Sequence, residues 1–496
     1  MYPLGGLPMI RLCAEYRQLI ASKMAGTWVV GSIIQNIKGM LGMAYQKKMG
    51  LVALVIMMLI IAVLSGCTGG NEKVSNTAGN KEGSADKQKD KSLTVLVEGG
   101  SPAFKVATAT AEEFKTETGY EVKIEAVPYI GVFDKLNAEL KAKTGSYDAA
   151  IIDILWFPAL ASGLEPMDDL FTDEVKNDLN PTLIEGGKVA DKILGMPVWT
   201  NSKTMLYRKD LFEDAKEKEA FQKEYGYELK APTIWKEYRD VAKFFTRDSD
   251  NNGEMDMYGT GVLGKNNGDS VASWLDHALQ AGASQLVVGE DGKANVNTKP
   301  YVDALDFITK VLREDKSAPE GALNMASDEI AELFWNGKMA MMLEWGHFFV
   351  PSNDPAKSKI AGKVATAPMI GGDAGVGVVP GPWYQVIPAS SKQKDIAKEY
   401  IKFLYDRNDQ YLAAIGLAAR KSILETSGQK PEYAHLLSLG ETLAAKQTKN
   451  RPVLEYWNEI ESEALIPAVQ AALSGKKTPQ EALDEAAEII NEIQGQ

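Results

Sequence analysis

The chain has few residues of the types that build disulfides, metal centres or histidine-based active sites. It contains two cysteines, Cys13 and Cys67, in 496 residues, so a product cut between them could form no internal disulfide. Its three histidines, His277, His347 and His435, are scattered along the sequence without metal-ligand spacing. These absences argue against a zinc site and against a histidine-based catalytic triad.

Acidic residues outnumber basic ones, 67 to 54. The formal net charge is −13, and the sequence shows no dense basic patch. Because binding to nucleic-acid phosphates needs clustered Lys and Arg, we expect no nucleic-acid partner. The hydrophobic share of 45% and the charged share of 24% are ordinary for a globular protein. A chain of 496 residues exceeds what one hydrophobic core normally holds, so two domains are expected.

One unbroken apolar run extends over residues 51–64. It is shorter than the roughly 20 residues that a membrane-spanning helix needs. Lys47 and Lys48 precede the run and small residues follow it, which is typical of a secretory signal peptide. We therefore predict that residues 43–66 are a signal peptide, with an uncleaved signal anchor as the alternative. Residues 1–42 are either an over-called start or a cytoplasmic extension.

The end of the predicted signal peptide, Leu64-Ser-Gly-Cys67, resembles the bacterial lipobox. The resemblance implies that the Cys67 thiol is lipidated and that Cys67 becomes the first residue of the mature chain. Such a lipid would anchor the protein at the extracellular face of the cell membrane without a spanning segment. Residues 67–91 consist mainly of Gly, Ser, Asn, Lys, Glu and Asp, which is typical of a flexible tether.

The folded part begins with alternating strand and helix patterns. The strands are predicted at 93–97, 121–127 and 148–153, and a helix at 133–143 precedes the third strand. This order indicates an α/β fold with parallel strands. Because such sheets bind ligands at the carboxyl ends of their strands, the loops 98–101 and 153–157 are candidate binding loops.

A series of motifs continues along the rest of the chain, at 195–201 with 206–212, at 334–342, at 381–392 with 397–404, and at 473–483. In this order they resemble the extracellular solute-binding proteins of ABC importers, in the carbohydrate-binding group that includes maltose-binding protein. The resemblance implies a two-lobed periplasmic-binding-protein-like (type II) fold with a hinge and an interlobe cleft. It assigns residues 92–199 and 366–415 to the first lobe, and 200–365 and 416–493 to the second.

The same resemblance implies a membrane-tethered receptor that captures a sugar or oligosaccharide and delivers it to ABC permease subunits. We expect a monomer that needs no cofactor. A sugar site needs flat aromatic platforms together with polar groups that bind hydroxyls. Candidate ligand-binding residues are Glu98, Asp153, Trp156, Trp199, Trp345, Trp383 and Trp457. Several of these tryptophans have packing in the core or hinge as their alternative role, and Trp274 is predicted to be a core residue.

Two other functions remain open at this point. A secreted polysaccharide-active enzyme would use paired carboxylates, for which Asp153 and Glu344 are candidates. A receptor for a small non-sugar solute such as a polyamine would use the same two-lobed scaffold, with several carboxylates facing aromatic rings. The fold alone does not decide among these functions.

Residues 248–256 follow the pattern of a calcium-binding loop. Oxygen-bearing side chains stand at alternate positions and a glycine at the sixth, although the twelfth position holds Gly259 where a bidentate Glu is expected. An Asx-rich surface turn is the alternative. The candidate calcium ligands are Asp248, Asp250, Asn252, Glu254 and Asp256.

Overall fold

The computed structural model describes residues 91–248, 251–253, 255–452 and 454–495. The predicted signal peptide, Cys67 and nearly all of the predicted tether lie outside the described residues, as do Asp250 and Glu254 of the predicted calcium loop. Those predictions therefore stay predictions. In the described part of the chain, no helix combines the length and the apolar character needed to cross a membrane.

Most of the strand residues belong to two sheets. Their strands are, in chain order, β1 (Ser92–Glu98), β2 (Glu121–Val127), β3 (Ala149–Asp153), β4 (Met196–Trp199), β5 (Lys203–Arg208), β6 (Met341–Trp345), β7 (Val364–Ala367) and β8 (Trp383–Val386). Two short hairpins add the pairs Lys188–Val189 with Lys192–Ile193 and Gly371–Gly372 with Gly375–Val376.

The first sheet has the strand order β2-β1-β3-β8-β4. Strand β1 pairs in parallel with β2 and β3, whereas β8 runs antiparallel to β3 and β4. Helices α1 (Pro102–Thr118) and α2 (Tyr129–Ala142) connect the three parallel strands. The predicted order of strand, helix, strand, helix and strand is confirmed.

Helix α1 shows why this region folds locally as the sequence predicts. The Ser101 side chain caps the helix by accepting a hydrogen bond from the Phe104 N–H, and Pro102 occupies the first turn, where it has no N–H left unpaired. Gly119 ends the helix with φ +76°, a left-handed conformation that glycine adopts without strain. The apolar residues of the helix, Phe114 among them, are buried against the sheet.

The second sheet contains three antiparallel strands in the order β6-β5-β7. The chain passes from the first sheet to the second directly after Trp199 and returns between Ala367 and Trp383. Helices make up most of the remaining chain. The longer ones are Ala215–Tyr225, Trp235–Phe245, Gly268–Gln280, Lys299–Thr309, Ser327–Trp335, Lys394–Asp406, Lys421–Gly428, His435–Leu443, Ile466–Leu473 and Pro479–Gln494.

Several buried side chains of residues 417–439 pack with the first sheet. Leu417 and Leu436 belong to the same hydrophobic cluster as Val95 of β1 and Tyr400. The sequence-based division placed residues 416–493 in the second lobe. The lobe boundaries stay predictions, but this segment shares its core with strands of the predicted first lobe.

Candidate functional site

A cavity of about 730 Å³ lies where ends of both sheets come together. Glu98 and Asp153 stand at the carboxyl ends of β1 and β3, and Trp383 begins β8 directly opposite Asp153. Trp345, at the end of β6, lines the cavity from the second sheet. The expectation that ligands bind at strand ends therefore leads to one concave site.

Six of the seven predicted ligand-binding residues line this cavity. They are Glu98, Asp153, Trp199, Trp345, Trp383 and Trp457. The seventh, Trp156, is not among the lining residues and is 2% exposed. Trp274 is fully buried, and its indole N–H donates to the Tyr301 carbonyl at 3.0 Å, so its predicted core position is confirmed. The ligand-binding roles themselves stay predictions.

One side of the cavity is an aromatic wall, formed by Tyr129, Trp199 and Trp383. Trp199 and Trp383 are stacked, with ring centroids 5.4 Å apart and planes inclined by 21°. Tyr129 meets the edge of Trp383 at 5.9 Å. Trp156 lies behind this wall, 4.8 Å from the Tyr129 ring and 6.0 Å from the Trp383 ring. Its position is that of a packing support for the two rings.

Asp153 links the aromatic wall to its surroundings. Its Oδ1 accepts the Leu155 N–H at 3.1 Å, which caps the short 3-10 helix Ile154–Trp156 and turns Trp156 inward. Its Oδ2 accepts the Tyr129 hydroxyl at 3.3 Å. Burial, and next the charge of Asp153, raises the pKa of Tyr129 well above its usual value of 10.0. Tyr129 therefore remains a neutral hydrogen-bond donor at physiological pH.

A second part of the cavity lining is a charged wall, formed by Asp269, Trp345, Arg451 and Glu461. The Trp345 indole N–H donates to Asp269 Oδ1 at 3.2 Å, and Ser327 donates to Asp269 Oδ2 at 3.3 Å. These two bonds fix the plane of the Trp345 ring.

A buried lysine supports Trp345 from behind. The β5 and β6 register sets Lys203 directly opposite Trp345, so both side chains project from the same face of the second sheet. The Lys203 ammonium lies 4.1 Å from the centroid of the indole ring, a cation–π contact. Its charge is balanced by Asp276 at 3.6 Å, and both side chains are 1% exposed. Asp276 in turn accepts the Val379 N–H at 2.6 Å.

Arg451 connects the two walls. Its Nη1 lies 3.8 Å from Asp153 Oδ2, and its guanidinium carbon is 5.9 Å from the centroid of the Trp345 ring. The Nε–H donates to the Pro380 carbonyl at 3.3 Å. Sequence reasoning missed Arg451, because it stands in a polar loop before Pro452 that carries no periodic pattern.

Burial changes the protonation of several groups around the cavity. It raises the pKa of Glu98, and it raises the pKa of Glu461 to about 7. It lowers the pKa of His347 to about 4, so this imidazole is neutral at pH 7. His347 Nδ1 can then accept the Asn201 amide N–H, whose nitrogen is 2.9 Å away. The site is therefore built from neutral and hydrogen-bonded groups as well as charged ones.

Sequence reasoning also missed Tyr129, Asn201, Asp269 and Glu461 on the cavity wall. Tyr129 could have been found, because it follows β2 at the same edge of the sheet as Glu98 and Asp153. Asp269 begins the helix Gly268–Gln280, and nothing in its local sequence separates it from an ordinary first-turn acid. These groups are brought together by contacts between residues that are far apart in the sequence.

Glu344 does not belong to the cavity wall. It is 1% exposed, and it lines a separate internal cavity of about 30 Å³ beside Tyr238 and His277. Burial raises its pKa to about 8, so it is protonated at neutral pH. The pairing of Asp153 with Glu344, proposed from sequence for an enzyme, is therefore wrong as an arrangement within this site.

The described part of the predicted calcium loop is held by its own hydrogen bonds. The Asp248 carboxylate accepts the backbone N–H groups of Asn252 at 3.2 Å and Gly253 at 2.7 Å. Among the described residues, no group of three or more His, Cys, Asp or Glu side chains is placed to hold a metal ion. Asp250 and Glu254 are outside that set, so calcium binding stays a prediction.

Comparison with known proteins gives a consistent family assignment. The sequence model of a family described as bacterial extracellular solute-binding protein matches residues 99–411. The arabinooligosaccharide-binding protein of Bacillus subtilis is 23% identical over 89% of this chain and 98% of its own length. The mannitol-binding protein of Pseudomonas aeruginosa is 26% identical over 54% of this chain and 58% of its own length.

Solved structures show the same fold. The maltose-bound MalE3 of T. maritima aligns with a TM-score of 0.68 and 24% identity, covering 81% of this chain and 99% of that one. A solute-binding protein of an ABC transporter from Agrobacterium radiobacter, in complex with ribitol, aligns with a TM-score of 0.68 and 27% identity, covering 81% and 98%. The predicted two-lobed, periplasmic-binding-protein-like fold is confirmed.

Proposed function

Because the chain belongs to the family of bacterial extracellular solute-binding proteins, we propose that it captures a sugar, an oligosaccharide or a related polyol for an ABC importer. The observation that carries this proposal is the wall of the cavity. Stacked Trp199 and Trp383 line the cavity together with Trp345, and carboxylates line the same cavity. Sugars present C–H groups on their faces and hydroxyls at their rims, and this combination of groups fits both.

Relatives of this chain support the choice of ligand class. Their names state maltose, ribitol, mannitol and arabinooligosaccharide as ligands. The cavity of about 730 Å³ falls in the ordinary range for small-molecule sites, roughly 300–1,000 Å³, and can accept a ligand of one to a few sugar rings. A non-sugar solute such as a polyamine is the second candidate, because several carboxylates share the cavity wall with aromatic rings.

Binding without covalent change is part of the proposal. The family and the structural neighbours are binding proteins, and the carboxylate pair considered for an enzyme is not formed in the cavity. Product analysis after incubation with oligosaccharides tests this point. Any time-dependent cleavage that is lost on heat treatment of the protein would contradict it.

Ligand capture is tested with the purified processed protein and a broad panel of sugars and polyols. We expect at least one compound to raise the melting temperature and to change tryptophan fluorescence, since Trp199, Trp345 and Trp383 all line the cavity. The variant Trp235→Phe is a control, because Trp235 stacks on Phe307 and neither residue lines the cavity. If no member of the panel shifts the melting temperature, the proposed function fails.

We further propose that the protein acts as a monomer at the extracellular face of the membrane, held through a lipid on Cys67. This proposal rests on the lipobox resemblance and on the family's extracellular location. A tether of about 25 residues has a root-mean-square reach of roughly 25–30 Å and would keep captured solute near the permease subunits. The variant Cys67→Ser should lose lipid labelling and be released or left unprocessed. Unchanged labelling would refute the anchor.

Calcium binding by the 248–256 loop is a separate proposal, supported by the spacing of its oxygen-bearing residues. Calorimetry on chelator-treated protein tests it directly. We expect heat release and a higher melting temperature on calcium addition, and neither in Asp248→Asn. No heat and no stabilisation in the unsubstituted protein would remove the ion from the description of this loop.

A further inference from the structure

Carboxylates outnumber cations on the cavity wall. The cations are Lys265 and Arg451, and the carboxylates are those of Glu98, Asp153, Asp269, Asp328, Glu329 and Glu461. Lys265 is paired with Glu329 at 2.6 Å, and both side chains are more than 40% exposed. The opposite charges of Lys265 and Glu329 cancel each other at the solvent-exposed side of the site. The balance of charge inside the cavity therefore depends on Arg451 and the remaining carboxylates.

Arg451 is already engaged by the protein. Its guanidinium faces Asp153 at 3.8 Å, donates to the Pro380 carbonyl and lies against the Trp345 ring. Lys203, the next cation behind Trp345, is paired with Asp276 and is 1% exposed. Neither positive group offers an unbalanced charge to a ligand anion.

Three interior carboxylates have no cation of their own. Glu98, Asp269 and Glu461 form no ion pair with another described residue. Burial is the main cause that raises the pKa values of Glu98 and Glu461. The charge of Arg451 acts to lower the pKa of Glu461, and the charge of Asp153 acts to raise both values. An additional negative charge in this concave, partly desolvated space would meet an unfavourable potential.

One polar group on the cavity wall is the indole N–H of Trp457. Trp457 lines the cavity and is 2% exposed, and its N–H interacts with the Glu461 carboxylate, an interaction that acts to lower the pKa of that group. A sugar hydroxyl can accept from an indole N–H and donate to a carboxylate at the same time, which a carboxylate or phosphate group cannot do. Hydroxyls thus match the mixture of donors and acceptors that this wall presents.

We propose that the cavity selects against anionic carbohydrates, such as uronic acids, aldonic acids and sugar phosphates, and takes uncharged or amine-bearing ones. This inference rests on the proposed function, since it assigns the charge class of the ligand of that same cavity. Selection arises because the carboxylates of Glu98, Asp153 and Asp269, together with the ionised fraction of Glu461, outnumber the single interior cation, Arg451.

Matched ligand pairs test the proposal on the processed protein by calorimetry at low and high ionic strength. The pairs are glucose with glucuronate, galactose with galacturonate, maltose with maltobionate and mannitol with mannonate, and glucosamine serves as the amine probe for glucose. For every pair whose neutral member binds, we expect the acid to bind at least tenfold more weakly. The difference should narrow at high salt because the repulsion is screened. Where glucose binds, we expect glucosamine to bind no more weakly than glucose.

Two variants connect this discrimination to named groups. Glu461→Gln, and more strongly Glu98→Gln combined with Glu461→Gln, should reduce the ratio of neutral to acid affinity several-fold. Glu112→Gln makes the same change in net charge on an exposed face of α1 and should leave the ratio unchanged. The melting temperature of each variant without ligand serves as the folding control.

The outcomes separate this inference from the proposed function. If an acid binds as tightly as its neutral partner, or if the glutamine variants leave the ratio unchanged, the charge selection is wrong while the receptor function stands. If no member of any pair binds and no compound of the broad panel shifts the melting temperature, the proposed receptor function is wrong. Tight binding of the acid member alone would reverse the assignment.

Discussion

The aromatic wall and the charged wall of the cavity are built by different physical means. Tyr129, Trp199 and Trp383 hold one another by ring contacts and stand at or next to ends of strands of the first sheet. On the charged wall, Trp345 is fixed by a hydrogen bond to Asp269 and by the Lys203 ammonium beneath it. One wall depends on packing and the other on buried charge.

This difference between the walls determines how strongly a substitution in each of them affects protein stability. Aromatic packing changes gradually when one ring is trimmed, because neighbouring rings still fill much of the space. A buried ion pair responds sharply, because removing one partner leaves the other charge desolvated and unpaired. We therefore expect substitutions behind the charged wall to affect folding more strongly than substitutions behind the aromatic wall.

The largest effect is expected for Lys203→Met. This change leaves Asp276 buried without its cation, and it should lower the free energy of unfolding by about 3–5 kcal/mol at pH 7. Urea denaturation measures the loss. The double variant Lys203→Met with Asp276→Leu should recover a substantial part of it. If the two single effects simply add in the double variant, the pair contributes no coupling and the proposed difference between the walls is lost.

Glu344, behind the charged wall, should make stability depend on pH. Burial raises its pKa from 4.5 to about 8, so the folded state holds a proton that the unfolded chain releases above pH 4.5. Its stabilising contribution is complete below pH 4.5 and is lost as the pH rises towards 8, by a few kcal/mol in all. Glu344→Gln should flatten the decline of stability between pH 5 and pH 8 relative to the unsubstituted protein. Parallel pH profiles for the two proteins would contradict the assignment.

A matched pair of substitutions compares the contributions of Trp345 and Trp383 to ligand affinity. Trp345→Phe removes the N–H that Asp269 accepts and should cost about 1 kcal/mol, or roughly fivefold in Kd, beyond the loss of ring area. Trp383→Phe loses ring area but no hydrogen bond to a described residue, so it should weaken binding less. Calorimetry with the strongest ligand of the sugar panel provides the comparison. Equal losses would show that the indole N–H of Trp345 is immaterial.

The smallest effect on affinity is expected for Trp156→Phe. Trp156 supports Tyr129 and Trp383 from behind, so the change should lower stability by about 1–2 kcal/mol and affinity by less than about 1 kcal/mol. Trp235→Phe, which changes a ring stacked on Phe307 away from the cavity lining, should lower stability without any change in affinity. A large loss of affinity in Trp156→Phe, with stability preserved, would mean that Trp156 contacts the ligand itself.

How far the sequence predicts this site depends on the range of the interactions concerned. Glu98, Asp153 and Trp383 were identifiable because strand ends can be read from local hydrophobic patterns or from family motifs, and these ends meet at one edge of the sheet. Trp156 is the predicted site residue that does not line the cavity, because the short 3-10 helix capped by Asp153 places its ring behind the wall. A single helical turn decides the direction of this side chain, and strand patterning does not report it.

The sequence did not predict which charged and polar groups contact each other in the folded protein. Asp269 and Trp345 are 76 residues apart, and Asp153 meets Arg451 from a distant loop. The assignment of Glu344 to the site was wrong for a different reason. Glu344 precedes Trp345 directly on β6, so the two side chains project from opposite faces of the sheet, and Glu344 is buried away from the cavity. Sequence proximity to a good candidate is therefore no evidence of a shared site.

The sequence by itself determined the α/β order, the aromatic supply at the strand ends and the resemblance to a solute receptor, because backbone patterning and motif order are local and sequential properties. Only the tertiary structure decided that Lys203 underlies Trp345, that Arg451 is neutralised by its surroundings and that carboxylates dominate the cavity. Electrostatic environment depends on distances through space and on burial, and neither is set until the two sheets come together.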